Sequence, residues 1–205
     1  MDDLHSIGME KGLLYETIIS TENEAGEPNA APIGVICKDK REIVLYLNHA
    51  THTLENIKIN KNFTVNITHN PLIFVNSTIS DLDFNYFKKY NDKFYIKEAE
   101  AFFTATVESV KEVEKEDNIG KTTVNIIKAN VNDIIIKEKQ FTPLNRAIFA
   151  IIESLVYVSR IELVDDNTRN IYLERINEMT RVVNRVGGLD HKEAMKRILK
   201  YLEDK

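Results

Sequence analysis

Thr51, His52, Thr53 and Asn56 open a segment in which a short helix would run into a strand, Thr53-Leu54-Glu55-Asn56-Ile57-Lys58-Ile59-Asn60-Lys61-Asn62-Phe63-Thr64-Val65-Asn66. Thr51 or Thr53 can act as the N-cap, leaving backbone N–H groups and the positive end of the helix dipole exposed. A helix end of that kind receives phosphate. Hydroxyl and amide side chains such as Thr53 and Asn56 add donors there without a net positive charge. His52, beside Thr53, can donate to the same group. The plainer reading stays open, with Thr53 only capping and Asn56 only solvated.

A second block, Asn29-Ala30-Ala31-Pro32-Ile33-Gly34-Val35, is built from small side chains. Ala30, Ala31 and Gly34 would let a strand backbone come close to a flat ligand, which its N–H and C=O groups could then read. Tight packing inside a barrel would ask for the same residues. Farther on, Arg146, Glu153 and Arg160 recur every seven residues and so share one helical stripe, drifting by about 20° per step. That stripe reads as an ion-pair ladder, within the helix or across a dimer interface. Alternatively, Arg146 meets a phosphate or an anionic substrate.

Other chemistries find little support. His49, His52 and His69 invite a metal, but no cysteine or paired acid stands at ligand spacing, and no metal is expected. There is no Gly-x-Ser-x-Gly elbow and no glycine-rich phosphate loop. Cys37, the single cysteine, ends an apolar run and reads as a small buried hydrophobe, which also excludes a disulfide framework.

The elements that would position these residues fall into two groups. Leu13 to Thr21, Ala30 to Cys37, Ile43 to Leu47, Phe63 to Thr68, Ala101 to Val113 and Thr122 to Val131 read as strands, with Ile134-Ile135-Ile136 available to close the sheet. Turns are expected at Glu24–Asn29, Lys38–Glu42 and Glu114–Gly120. Short strands at hairpin spacing favour a barrel over a βαβ sheet. Past Pro143 the period becomes helical, with helices expected from a Thr142-Pro143 start to Leu163, about Arg169 to Val186 and about His191 to Leu202. A barrel over residues 1–140 and a helical segment over 141–205 is the simplest division.

The chain has 205 residues, 43% of them hydrophobic and 29% charged, enough to bury a core without disulfides or structural metal. Twenty-seven basic against thirty-two acidic residues give a net charge of −5, which argues against nucleic acid as a partner. No apolar leader and no run of about 20 apolar residues is present, so no membrane span is expected and the cytoplasm is the expected compartment.

Thr53, Asn56, Ile57, Phe63, Val65 and Asn66 resemble the Asp-Thr-x-x-Asn-Ile…Phe-x-Val-Asn segment of the FMN-binding split-barrel, flavin reductase-like proteins, with His52 preceding the threonine. The wider order of blocks resembles the DUF447 family. Glu16 to Thr21 is followed by Pro28 to Val35, then by Asn145-Arg146-Ala147, Ile152-Glu153 and Ser159-Arg160. The resemblance implies a mainly β chain with α, an FMN-binding split β-barrel followed by a C-terminal helical segment. It implies FMN as cofactor, held by Ala31, Pro32, Ile33, Gly34, Thr51, His52, Thr53, Asn56, Asn66 and Arg146. It further implies a homodimer with the flavin near the subunit interface, and hydride or electron transfer with a small-molecule donor. No side chain stands out as a proton donor. The alternatives are a non-catalytic FMN carrier or sensor, and a structural homodimer without flavin.

Overall fold

A computed structural model describes residues 2–49, 51–117, 120–138 and 140–204, with side chains described for all of these except 115–117 and 120–122. The chain forms two compact units, Met1–Leu144 and Asn145–Lys205.

The first unit is an antiparallel six-stranded barrel. β1 (Leu14–Glu22), β2 (Pro28–Asp39), β3 (Glu42–Asn48), α1 (His52–Asn60), β4 (Asn62–Ile67) and α2 (Pro71–Ile79) come first. β5 (Phe87–Tyr90), β6 (Lys93–Ile96), β7 (Ala101–Asp117) and β8 (Gly120–Ile136) follow. The barrel closes in the order β1-β2-β3-β8-β7-β4, while β5 and β6 pair as a separate hairpin. Period-two alternation turns Tyr15, Ile19, Val35, Leu45, Phe63, Val65, Phe103, Ile127 and Ala129 into one buried core. Leu54 and Ile57 of α1 enter the same core. This burial holds the N-terminal end of α1 against the barrel.

A second, smaller core lies on the other face of β1. Ile18 and Ala30 meet Ile73 of α2 together with Leu82, Phe87, Phe94, Ile96 and Ala99. Phe94 takes Phe84 and Phe87 edge-on, with ring centroids 5.7 and 6.0 Å away. Lys137 Nζ donates to the carbonyls of Lys97 and Ala99, tying the end of β8 to the segment that follows β6. α2 and the β5–β6 hairpin are the elements the periodicity of the sequence does not announce.

Three expectations shift. The turn expected over Glu114–Gly120 is mostly strand, because β7 and β8 continue to pair out to Asp117↔Gly120. Residues 118 and 119 lie outside the described residues. Ile134–Ile136 is the continuation of β8 beside Ala101–Phe103 rather than a further strand. The first C-terminal helix does not start at Thr142-Pro143, because the chain stays extended through Leu144, whose carbonyl accepts from Glu16 N–H at 2.8 Å. The cap is Asn145, which accepts from Ala147 N–H at 2.9 Å.

The second unit packs α3 (Arg146–Val158), α4 (Asp166–Val186) and α5 (Leu189–Glu203). Ala147, Ala150, Ile151 and Ser154 of α3 are buried, as are Ile176, Val183 and Val186 of α4 and Met195 and Ile198 of α5. Gly187 allows the α4–α5 corner. A Cβ there would meet the Val183 carbonyl oxygen at 2.7 Å and the Ala147 Cβ at 3.2 Å. None of the helices, among the described residues, is long and apolar enough to cross a membrane.

Cys37 is fully buried in the barrel, with its thiol facing the Met9 carbonyl at 3.6 Å. Burial, helped by the nearby Asp39 carboxylate, pushes the thiol up to about 11. Native protein at neutral pH should therefore react with iodoacetamide at least about a hundredfold more slowly than urea-unfolded protein. Equal rates by mass spectrometry would contradict this placement.

Candidate functional site

β3 pairs with β2 only from Val35 to Asp39. Residues 29–34 of β2 therefore have β1 along one edge and, among the described residues, no strand along the other. The N-terminal end of α1 and the C-terminal end of α2 rise beside that open stretch and make a groove of about 420 Å³. Asn29, Ala31, Thr51 and Thr53 form one wall and Ser77, Thr78, Ser80 and Asp81 the other. A neighbouring hollow of about 350 Å³ shares Asn29, His52 and Asp81 and reaches Asn56 and Glu27. Together they have the dimensions of a small-molecule site.

α1 forms here because Thr51, in extended conformation, caps it by accepting from Leu54 N–H at 3.3 Å. The first-turn N–H groups of His52 and Thr53 have no acceptor within the helix and lie at the groove. Thr53 is 3% exposed and accepts from Asn29 Nδ2 at 3.2 Å, which leaves its own proton to donate. Asn56, 6% exposed, donates to Thr21 Oγ1 at 3.0 Å, so one of its donors already braces α1 against β1. His52 is the most open member, its side chain 87% exposed and 3.6 Å from Glu55.

The structure brings together Ala31, Thr51, His52, Thr53 and Asn56 around one groove. It uses other expected residues differently. Pro32, Ile33 and Gly34 continue along β2, half-buried, away from the lining. The space a Cβ would occupy at Gly34 is taken by Leu14, 2.9 Å away, so its small size serves strand packing. Asn66 is 0% exposed and its amide is committed inside the protein. It donates to Ile18 O at 2.9 Å and Ser20 Oγ at 2.8 Å, and accepts from Ile96 N–H at 2.8 Å. Arg146 is an exposed residue on the first turn of α3, in the second unit.

Sequence reasoning missed the α2 wall and Asn29. The signal for α2 was present as Asn70-Pro71, since Asn70 caps by accepting from Leu72 N–H at 3.0 Å and Pro71 takes the first helical position. Ser77, Thr78 and Ser80 each donate back to a carbonyl of the same segment. All three residues line the groove.

The flavin expectation can be tested against this lining. The α1 N–H groups and the Thr53 proton suit a phosphate, and the uncovered backbone of β2 suits the polar edge of a flat ring. One feature departs from a common phosphate site. Among the described residues, no lysine or arginine lines the groove or the neighbouring hollow, and the fixed charges are the carboxylates of Asp81 in both and Glu27 in the hollow. A phosphate here would be held by dipoles and hydroxyls, with His52 as the one basic side chain in the lining among the described residues. The residues fit FMN on these terms. No group of three histidine, cysteine or acidic side chains able to hold a metal is present among the described residues. His69 instead pairs with Glu100 at 2.7 Å and His49 with Glu112 at 3.8 Å.

Comparison with known proteins adds the following. The family model for the N-terminal domain of a protein of unknown function (DUF447) matches residues 15–133. A second model, protein of unknown function (DUF447), matches residues 145–200. The uncharacterized protein MJ1453 of Methanocaldococcus jannaschii is 28% identical over 195 residues, 93% of this chain and 98% of that one. The crystal structure of FMN-bound protein MM1853 from Methanosarcina mazei, also of DUF447, matches with a TM-score of 0.56 and 29% identity. It covers 97% of this chain and 99% of its own. A putative flavin reductase with a split barrel domain from Shewanella frigidimarina matches at a TM-score of 0.50 and 16% identity, over 66% of this chain and 73% of its own. The last likeness is one of fold, and it makes the six-stranded barrel a split barrel.

Proposed function

This chain belongs to the DUF447 family, and from that premise we propose that it is an FMN-binding flavoprotein, redox-active with a small-molecule electron donor. The observation that carries the reading is the end-to-end likeness to an FMN-bound protein of the same family. The groove at the α1 N-terminus supports it with a lining suited to the two ends of the cofactor. Bound FMN supplies the electron-transfer chemistry, and the protein supplies binding and electrostatics.

The residues divide the work by position. His52 and Thr53 N–H groups and the Thr53 hydroxyl receive the phosphate, which gains from the dipole of α1. Asn29 donates to Thr53 Oγ1 at 3.2 Å, which leaves the Thr53 hydroxyl proton to be donated to the phosphate. Asn56 and Thr21 hold α1 in register with β1, which would fix the place of the N–H groups that receive the phosphate. The backbone of β2 around Ala31 would hold the polar edge of the ring.

The test is the visible absorption spectrum of the purified full-length chain, with the released chromophore identified by chromatography. FMN released in near-stoichiometric amount supports the reading. Anaerobic addition of reduced nicotinamide should then bleach the bound flavin. A colourless chain that stays colourless after incubation with FMN and desalting would contradict it.

A further inference from the structure

The hollow of about 350 Å³ beside the groove shares Asn29, His52 and Asp81 with it, so it begins at the end of α1 that would receive the flavin phosphate. Its far side is the β1–β2 loop, and that loop is tied down. The Asn23 side-chain oxygen accepts from the N–H groups of Ala25 and Glu27 at 3.0 and 2.9 Å, and its amide donates to Glu27 Oε2 at 2.9 Å. Asn23 N–H donates to Glu27 O at 2.9 Å and Gly26 N–H to Asn23 O at 3.0 Å, closing the same turn. Gly26 permits it with a φ of 81°. The Glu27 carboxylate is therefore steadied at the hollow by its neighbour. Asp81, just past α2, brings a second carboxylate to the same space. Among the described residues, the rest of the lining is Asn23, Pro28, Asn29, His52 and Asn56, with no lysine or arginine.

These carboxylates bear on which flavin nucleotide the groove accepts, an inference that rests on the reading of the groove as an FMN site. FMN ends in a phosphate monoester, which carries about −1.5 to −2 charge at neutral pH. All of that charge stays at the α1 N-terminus, where the helix dipole and the His52 and Thr53 N–H groups favour it. FAD continues from the same phosphate through a second phosphate to adenosine. Its charge is divided between the two phosphates, so the first gains less from α1. The second has to enter the hollow, where it meets two carboxylates and no lysine or arginine among the described residues to offset them. Room is not the obstacle, since about 350 Å³ is within the range of small-ligand pockets. The obstacle is charge. We propose that Asp81 and Glu27 are specificity-determining residues, which make the site take the flavin mononucleotide in preference to the adenine dinucleotide.

Isothermal titration calorimetry of the flavin-free full-length chain with FMN and with FAD tests this. At low salt the wild type should bind FAD at least about tenfold more weakly than FMN, and the gap should narrow at high salt, which screens exposed charges. Asp81→Asn and Glu27→Gln should each narrow it as well. The double variant D81N/E27Q should bring FAD to within about threefold of FMN, through tighter FAD binding and not weaker FMN binding. Asp81 is exposed, and Glu27→Gln keeps an acceptor for Asn23 Nδ2, so the variants should retain the wild-type circular dichroism spectrum. The salt dependence is read on the wild type and stands whatever the variants do. FAD bound as tightly as FMN by the wild type would overturn the proposal while leaving the FMN site in place. So would a gap that survives both high salt and D81N/E27Q, which would make the exclusion one of shape. A wild type that binds neither nucleotide would overturn the FMN site itself, and the selectivity with it.

Discussion

Replacing Asn66 by leucine should destabilise the barrel unit by about 3 to 5 kcal/mol, the largest effect of any single change considered for this protein. The volume is nearly kept, so the cost comes from three polar groups that lose their partner. Ile18 O, Ser20 Oγ and Ile96 N–H all depend on the Asn66 amide, at 2.9, 2.8 and 2.8 Å. Asn66 is at 0% exposure, so no water replaces it without structural change. The bond to Ile96 matters for function too, because it ties the β5–β6 hairpin, and the small core that seats α2, to the barrel. α2 is one wall of the groove. The variant should lower the urea midpoint of the barrel unit by about 1 to 2 M and lose amide-exchange protection at Ile96. FMN affinity should fall with it. An unchanged midpoint with protected Ile96 would show that Asn66 is not the brace the geometry describes.

The second large effect concerns His52. Its side chain is open to solvent at the first helical position of α1, so His52→Glu disturbs no packing, and an acidic residue favours a helix N-terminus. Stability should hold or rise slightly. The same carboxylate adds a full negative charge beside the proposed phosphate, in a groove and hollow whose fixed charges, among the described residues, are already Asp81 and Glu27. FMN affinity should fall about tenfold to a hundredfold at low salt, and by less at high salt. Riboflavin, which has the ring without the phosphate, should bind the variant and the wild type equally well. Equal weakening of both ligands, or of neither, would place the phosphate somewhere other than the α1 N-terminus.

The readability of this chain from its sequence follows the strength of its local signals. β1 was legible as a β-branched run, the β2–β3 hairpin as two apolar runs split by a charged turn, and β4 by its period-two alternation of apolar and polar residues. The three C-terminal helices were legible because one stripe of each is buried. α2 was not. Its run Leu72-Ile73-Phe74-Val75 has no helical period, since only Ile73 and Ser77 are buried and Leu72 and Val75 stand in solvent. β5 and β6 have four residues each, too few for a pattern, although Asn91 and Asp92 at φ 47° and 63° form the two-residue turn their types favour. At the site, the cap and its neighbours could be read because an N-terminal helix end is a local feature. The internal contacts of Asn66 and Gly34 could not, because Ile96 and Leu14 reach them only in the folded chain.

Fluorescence titration of the flavin-free full-length chain with FMN and with riboflavin is the decisive measurement for a flavin phosphate held at the α1 N-terminus. Saturable quenching is expected with micromolar FMN, about −8 kcal/mol, and riboflavin should bind at least about tenfold more weakly because it cannot use the α1 N-terminus. FMN that leaves the signal unchanged, or FMN and riboflavin bound with equal affinity, would contradict it.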